Sequence, residues 1–188
     1  MIPNPKAVAA AAGWWRRLQP SPDGTRPGDR AALARLRRCA TAAEAMQEPA
    51  AIALFRLSGA TQPQDLADVA PLAAVLAHVR EHQPGISVAR QVGPDDPDRP
   101  ETATMSPLRF RRLLETATPD ERLTQFRRLV ALAGGALDVQ DLARAMLDLA
   151  DPRRAEERRR RWIYDYWNAG QPTTGAASDT APAEEPAA

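Results

Sequence analysis

Two pairs of adjacent arginines follow a phenylalanine in the second half of the chain: FRRLL occupies residues 110–114, and FRRLV occupies residues 126–130. At the period of an α-helix, each segment would present an apolar stripe and a guanidinium stripe on the same helix. A guanidinium donates two parallel hydrogen bonds to one phosphate, so this residue type suits polyanions. The spacing therefore predicts helices that bury one face in a core and offer the other to an anionic partner.

Helical spacing also distinguishes the arginines within these segments. Arg109 and Arg112 are three residues apart and share one face of their helix, away from Phe110. Arg127 and Arg128 flank the apolar stripe on opposite sides, so only one of them can point fully to solvent.

Pairing between helices is the alternative interpretation of these arginines. Their acidic partners on neighbouring helices would be Asp120, Glu121, Asp141 and Asp148. For any single arginine this interpretation is about as plausible as a binding role. For the group we favour binding to nucleic acid, because phosphate contacts act collectively.

A different chemistry is suggested by HVREH at residues 78–82, which matches the H-x-x-E-H pattern of inverted zinc peptidases. On a helix predicted from Pro71 to about Gln83, His78 and His82 would be zinc ligands and Glu81 the base. However, the chain has only two histidines, and no downstream motif supplies a third ligand. We interpret the pattern as a chance match and keep the peptidase as a minor alternative. Because no other catalytic motif occurs, the sequence predicts no enzyme, no metal site and no cofactor.

The composition of the 188-residue chain, with 44% hydrophobic and 26% charged residues, is typical of a soluble globular protein. The net charge of +1 hides an asymmetry, because the stretch after Trp162 contains four acids and no lysine or arginine. Among the 25 basic residues only Lys6 is a lysine. Codon usage in a GC-rich genome explains that ratio equally well, so the ratio alone carries little weight.

No apolar run approaches the roughly 18 residues that span a bilayer. The alanine-rich residues 7–12 are closed by Trp14 too early for a secretory signal. The single cysteine, Cys39, excludes an intramolecular disulfide and a cysteine-based zinc site. These features predict a cytoplasmic protein without membrane contact.

Almost every segment repeats a capping residue, an amphipathic run and a break at proline or glycine. For example, Thr118 and Glu121 form a capping box around Pro119, and Gly134 ends the run that follows. No segment alternates β-branched residues with period two, so an all-α fold is predicted. We expect two small helical bundles, residues 1–92 and a four-helix antiparallel bundle at 105–168, separated by a Pro-rich linker at 93–104 and followed by a disordered tail at 169–188.

Nine short motifs follow one another between residues 14 and 167. They are WWRRL at 14–18, LRR at 36–38, LFRL at 54–57, GISVAR at 85–90, RFRRLL at 109–114, QFRRL at 125–129, LDV at 137–139, LARAML at 142–147 and YW at 166–167. Each motif alone is common in helices. In this order and spacing they resemble the CasB family, the small subunit of the type I-E CRISPR surveillance complex Cascade.

The resemblance implies a two-bundle helical protein without enzymatic activity, present in two copies beside the other Cas subunits and the guide crRNA. It also implies that basic helical faces bind nucleic acid and stabilise the R-loop by holding the displaced DNA strand, while base pairing with the target strand supplies specificity. The resemblance carries this role to Arg37, Arg38, Arg90, Arg109, Arg127, Arg128 and Arg144, and helical spacing adds Arg112. A helical adaptor that binds protein without touching nucleic acid is the other alternative.

Overall fold

The computed structural model describes residues 4–21 and 23–170. Within these residues the chain forms ten α-helices, one 3₁₀ turn and two strands of two residues each. In chain order they are α1 (Asn4–Leu18), α2 (Arg30–Arg38), α3 (Ala42–Met46), α4 (Pro49–Ser58), α5 (Pro63–Leu76), β1 (Glu81–His82), α6 (Val88–Val92), the 3₁₀ turn (Pro100–Thr102), α7 (Pro107–Leu114), α8 (Pro119–Leu132), β2 (Ala136–Leu137), α9 (Val139–Ala150) and α10 (Pro152–Tyr166). The all-α prediction is confirmed. The predicted disordered tail, apart from residues 169–170, lies outside the described residues.

Helix starts follow the capping signals in the sequence. The Glu121 amide donates to the Thr118 hydroxyl at 3.2 Å, and the Thr118 amide donates to the Glu121 carboxylate at 3.1 Å. Asp138 opens α9 by accepting from the amides of Gln140 and Asp141. These bonds satisfy amides that have no partner within the helix, which fixes where α8 and α9 begin.

The bounds of α5 differ from the sequence prediction. A capping box of Gln62 and Asp65 starts this helix at Pro63, and Pro71 lies inside it rather than at its first position. The helix also ends at Leu76 instead of continuing through the two histidines. The strong cap upstream explains the earlier start, because it satisfies the first free amides of the helix.

A short strand replaces the predicted end of that helix. Glu81 and His82 form β1, which pairs in parallel with Ala136 and Leu137 of β2. The prediction of a helix through residues 78–82 is therefore wrong. Two residues are too few for a period-two pattern, and the partner strand is remote in the sequence, so no local signal indicates this pairing.

One connected core runs through the described residues. α1 packs against α4 and α9, α5 packs against α8 and α9, and α10 packs against α9 and α6. Its largest fully buried side chains include Trp162, Tyr166, Phe126 and Leu36. Helices from both predicted bundles thus contribute to the same cluster. The division into units at 1–92 and 105–168 stays a prediction.

The ends of the Pro-rich segment 93–104 meet. The Met105 amide donates to the Val92 carbonyl at 3.0 Å, and the Arg90 guanidinium donates to the Pro94 carbonyl at 2.7 Å. The segment therefore leaves α6 and returns to the start of α7 as a closed loop.

Tyr166 joins α10 to both ends of this loop. Its ring stacks on Phe110 with the ring centroids 4.1 Å apart, and its hydroxyl donates to the Met105 carbonyl at 2.6 Å. Gly93 packs on the backbone carbonyl of Tyr166 and leaves no space for a Cβ there. The loop is thus held by contacts that depend on a glycine at residue 93.

We expect Gly93→Ala to lower the free energy of unfolding by about 1–3 kcal/mol, because the added Cβ overlaps the Tyr166 carbonyl. Gly13→Ala is the matched control, since a Cβ inside α1 meets only the Arg17 guanidinium at 4.0 Å. Alanine should stabilise that helix by roughly 0.5–1 kcal/mol. Urea unfolding followed by circular dichroism measures both variants. Unchanged stability of Gly93→Ala would contradict the packing described above.

Candidate nucleic-acid interface

Three of the predicted arginines come together in one groove between α7 and α8. Arg109, Arg112 and Arg128 line this groove, whose volume is about 390 Å³. Its other lining residues are Met105, Gln125, Ala131 and Leu132. We call this surface the α7–α8 groove. Its guanidiniums surround a partly apolar floor. Guanidiniums suit the phosphates of a nucleic-acid strand, and an apolar surface suits its bases.

The apolar positions of α7 determine the orientation of its arginines. Phe110, Leu113 and Leu114 are buried in the core, so Arg109 and Arg112 remain exposed on the flank that faces α8. The shared face predicted for these two arginines is therefore present. Both lie on a regular helix, which fixes the spacing of their charges.

On α8, as on α7, the buried apolar side chains determine which way the arginines point. Phe126, Leu129 and Val130 are buried, and Arg128 is exposed toward the groove. Arg127 projects from the other flank. As the sequence predicts, only one of the two arginines points fully to solvent.

Arg127 lies outside the α7–α8 groove and makes structural contacts, so its predicted role in binding nucleic acid stays a prediction. Its guanidinium donates to the Cys39 carbonyl at 2.5 Å and to the Leu36 carbonyl at 3.0 Å, both at the end of α2. Burial lowers the pKa of this guanidinium. Two of its three nitrogens hold another helix, and its Nε is buried without a hydrogen-bond partner among the described residues.

Arg37, Arg38 and Arg90 lie away from the groove. Arg37 donates to the Ala77 carbonyl at 2.6 Å, and Arg90 donates to the Pro94 carbonyl. Arg38 is exposed and lines a shallow cleft with Arg35, Cys39, Glu44, Gln47 and Glu48. The acids in that cleft reduce its attraction for an anion.

Arg144 lines a second and larger cleft between α9 and α10, of about 800 Å³. The other lining residues are Pro5, Asp148, Arg154, Glu157, Arg158, Arg160 and Arg161. Arg158 is held between Asp148 at 2.8 Å and Asp141 at 3.5 Å. This arginine cleft is thus built partly from internal ion pairs, unlike the α7–α8 groove.

Within residues 4–21 and 23–170, none of the three groove arginines forms an ion pair. The acids considered as their partners are used elsewhere. Asp120 accepts from the Ala42 amide at 2.6 Å, and Glu121 accepts from the amides of Ala117 and Thr118, which lowers its pKa. Asp141 accepts from the Val88 amide at 2.8 Å, while burial raises its pKa. The groove therefore keeps its positive charge.

Gln125 and Leu132 were not predicted from the sequence, although a signal was present. Counting from Gln125, Arg128 and Leu132 follow at three and seven residues, which is one stripe of a helix. The Gln125 amide adds two donors and one acceptor to the groove. Extending the arginine stripe along α8 would have found both residues.

The predicted zinc-peptidase geometry is wrong. His78 follows the end of α5, and His82 lies in β1, where its Nδ1 accepts from the Val139 amide at 3.2 Å. The two histidines therefore share no helical stripe. In the part of the chain that the structure describes, no three His, Cys, Asp or Glu side chains are grouped to hold a metal ion.

No helix in the described part of the chain is long and apolar enough to cross a bilayer.

Comparison with families of known proteins identifies a relationship for most of the chain. A family model described as CRISPR-associated protein Cse2 matches residues 32–167. The matched range contains both α7 and α8 and all eight arginines that the sequence predicts. Comparisons with curated proteins and with solved structures gave no match.

Replacing the two adjacent arginines separately should give different losses of stability. We expect Arg127→Met to lower the free energy of unfolding by about 1.5–3 kcal/mol, because the carbonyls of Leu36 and Cys39 lose a charged donor. Arg128→Met should change it by no more than about 0.5 kcal/mol, because this residue is exposed. Urea unfolding measures both values. Equal losses would show that Arg127 has no special structural role.

His78 should make the fold sensitive to acid. Its pKa is lowered to about 4 by burial first and then by Arg127 and Arg37, and its Nε2 is buried without a hydrogen-bond partner among the described residues. Because the folded-state pKa lies below the ordinary value of 6.5, protonation favours the unfolded chain. Stability is complete above the ordinary pKa and falls as the pH drops through it toward 4.

The comparison variant for this effect is His78→Gln, which does not titrate. Between neutral pH and pH 5, we expect the parent protein to lose about 1 kcal/mol more than the variant, allowing for partial exposure of the ring. Urea unfolding at the two pH values measures the difference. Parallel losses in both proteins would contradict the assignment.

Proposed function

Because the chain belongs to the Cse2 family, the small subunit of the type I-E CRISPR complex Cascade, we propose that its α7–α8 groove binds single-stranded nucleic acid. The strand that we propose is the displaced DNA strand of the R-loop, whose retention stabilises the opened target during antiviral defence. In this proposal the protein is a non-catalytic subunit. The family match agrees with the resemblance to CasB that the motifs indicated.

One observation carries the proposal: three exposed guanidiniums without ion pairs among the described residues line one groove on two rigid helices. Each guanidinium can hold one phosphate in a bidentate contact. A bare single strand also exposes its bases, and Ala131 and Leu132 in the groove offer apolar surface to them. The groove thus matches both parts of a single strand.

Sequence-independent binding is sufficient for this function. In RNA-guided recognition, pairing between guide and target supplies the specificity, so a protein that holds the displaced strand needs only backbone contacts. The Gln125 amide in the groove has no charge and can bond to a base edge or to a sugar without selecting one sequence. The lining residues therefore fit general retention of a strand.

Membership of the family makes the chain a component of a Cascade complex with other Cas subunits. As further partners we propose the guide crRNA, the target and displaced strands, and a second copy of the chain. The exposed apolar surface supports the protein partners in particular. Leu108, Ile163 and Tyr164 are 50%, 45% and 50% exposed, and Leu108 and Ile163 line a separate groove between α7 and α10.

That apolar surface also favours the second candidate function, a helical adaptor that binds protein without nucleic-acid contact. Exposed side chains of this size mark interfaces when they cluster. The two candidates differ in their dependence on salt. Contacts to phosphates release counterions, whereas an apolar interface depends only weakly on salt.

We expect the triple variant Arg109→Gln, Arg112→Gln, Arg128→Gln to weaken binding of single-stranded DNA. Its slope of log K against log salt should be smaller than that of the parent protein by roughly 2, since each lost phosphate contact removes about 0.7. Fluorescence anisotropy with a labelled oligonucleotide at several salt concentrations measures the slope, both for the protein alone and for the assembled complex.

The matched control removes the same charge elsewhere, through Arg17→Gln, Arg30→Gln, Arg56→Gln at exposed positions of α1, α2 and α4. This control should keep the slope of the parent protein. Equal slopes for both triple variants would contradict the assignment of the groove. Absence of DNA binding by the parent protein, free and in the complex, would favour the adaptor.

A further inference from the structure

The arginine cleft between α9 and α10 has an excess of positive charge. Five arginines line it against two acids, Asp148 and Glu157. Arg158 is satisfied by Asp141 and Asp148, and Arg161 lies 3.4 Å from Asp165. Arg154 is paired with Asp148 and Asp151. The charge of the other two arginines of the cleft is not neutralised by these internal pairs.

Two arginines of the cleft supply that remaining charge. Arg144 and Arg160 are both exposed, and within residues 4–21 and 23–170 neither forms an ion pair. They come from different helices, α9 and α10, so the cleft presents its charge from two sides. This arrangement suits an extended acidic segment that lies between the helices.

The backbone reverses its direction at the end of α10. Asn168 has a left-handed φ of 51°, and the Ala169 amide donates to the Tyr164 carbonyl at 3.1 Å while the Asn168 amide donates to the Asp165 carbonyl at 3.1 Å. These two bonds form a Schellman motif, which reverses the direction of the backbone. Gly170 consequently packs against the Tyr164 hydroxyl.

Tyr164 marks the side of α10 on which the chain leaves. It follows Arg160 by four residues and Arg161 by three, so the three side chains share one face of the helix. One helical turn covers only about 5.4 Å along the axis. The described chain therefore ends at Gly170 beside Tyr164, on the helix face that also carries Arg160 and Arg161.

The sequence that follows has the complementary charge. Residues 171–188 contain Asp179, Glu184 and Glu185 and no lysine or arginine. Asp179 comes nine residues after Gly170, and nine residues of backbone can span at most roughly 30 Å. The first acid can therefore reach the cleft without any change in the helices.

We propose that the acidic segment 179–185 of this chain occupies the arginine cleft and contacts Arg144 and Arg160. The occupant is tethered, so even weak ion pairs are populated at the high effective concentration of a short linker. With the cleft filled by its own chain, the α7–α8 groove would remain a free basic surface among the described residues. The proposal itself does not require that the groove binds nucleic acid.

A spin label on Ala187→Cys in the full chain tests the contact, in a Cys39→Ser background that leaves one reactive thiol. Amide signals in the NMR spectrum lose intensity when the label comes near. We expect loss at Arg144 and Arg160 and none at Gln125 and Arg128 of the α7–α8 groove. High salt should restore the signals, because the contacts are between exposed charges.

The control is the same labelled chain carrying Asp179→Asn, Glu184→Gln, Glu185→Gln, which keeps the length of the tail and removes its charge. Its cleft signals should recover. Equal signal loss in the charged and neutral tails would overturn the proposal, as would loss confined to the groove. Loss seen only between labelled and unlabelled molecules in a mixture would assign the occupant to a second copy and overturn it too.

Adding single-stranded DNA separates this proposal from the proposed function. If DNA shifts the cleft amides of the unlabelled chain while the label never broadens them, the cleft binds nucleic acid and the tail does not occupy it. If the label broadens the amide signals of the cleft and DNA shifts no amide signal, the tail proposal holds and the proposed function fails.

Discussion

Guanidiniums that donate to the carbonyls at helix ends hold the helices of this protein in register. The last carbonyls of a helix have no donor within it. Arg127 of α8 donates to the end of α2, Arg37 of α2 donates to Ala77 after α5, and Arg159 of α10 donates to Leu114 of α7. These bonds connect helices that are remote in the sequence. The orientation of α7 and α8, and hence of the groove between them, depends on this framework.

The framework also gives the arginine content a structural cause. A planar guanidinium presents several donors at fixed angles and can bond two carbonyls at once, as Arg127 does, whereas an ammonium is a compact point charge. Arginine therefore serves two purposes in this fold. A guanidinium that reaches the end of a neighbouring helix bonds to its carbonyls, whereas a guanidinium on an outer flank of its own helix stays exposed.

The sequence predicts those features that depend on local spacing. Capping residues and apolar stripes were sufficient to place α8 and α9 and to put Arg109 and Arg112 on one face. The choice between Arg127 and Arg128 was out of reach, because the partners of Arg127 are 88 and 91 residues away. The pairing of β1 with β2 could not be predicted either, because the two strands are far apart in the sequence. Periodicity reports which side of a helix is buried, but it does not report which distant backbone lies against that side.

Carboxylates bond to the free amides at helix starts, as arginines bond to the free carbonyls at helix ends. This explains why no carboxylate neutralises the α7–α8 groove. Asp120 accepts from the first amide of α3, Glu121 from the amides that precede α8, and Asp141 from the first amide of α6. The positive end of each helix favours a carboxylate there. An acid held in this way cannot swing toward the α7–α8 groove. The fold thus places several acids at helix N-termini and several arginines against the carbonyls at helix C-termini, while Arg109, Arg112 and Arg128 take part in neither arrangement and stay exposed in the groove.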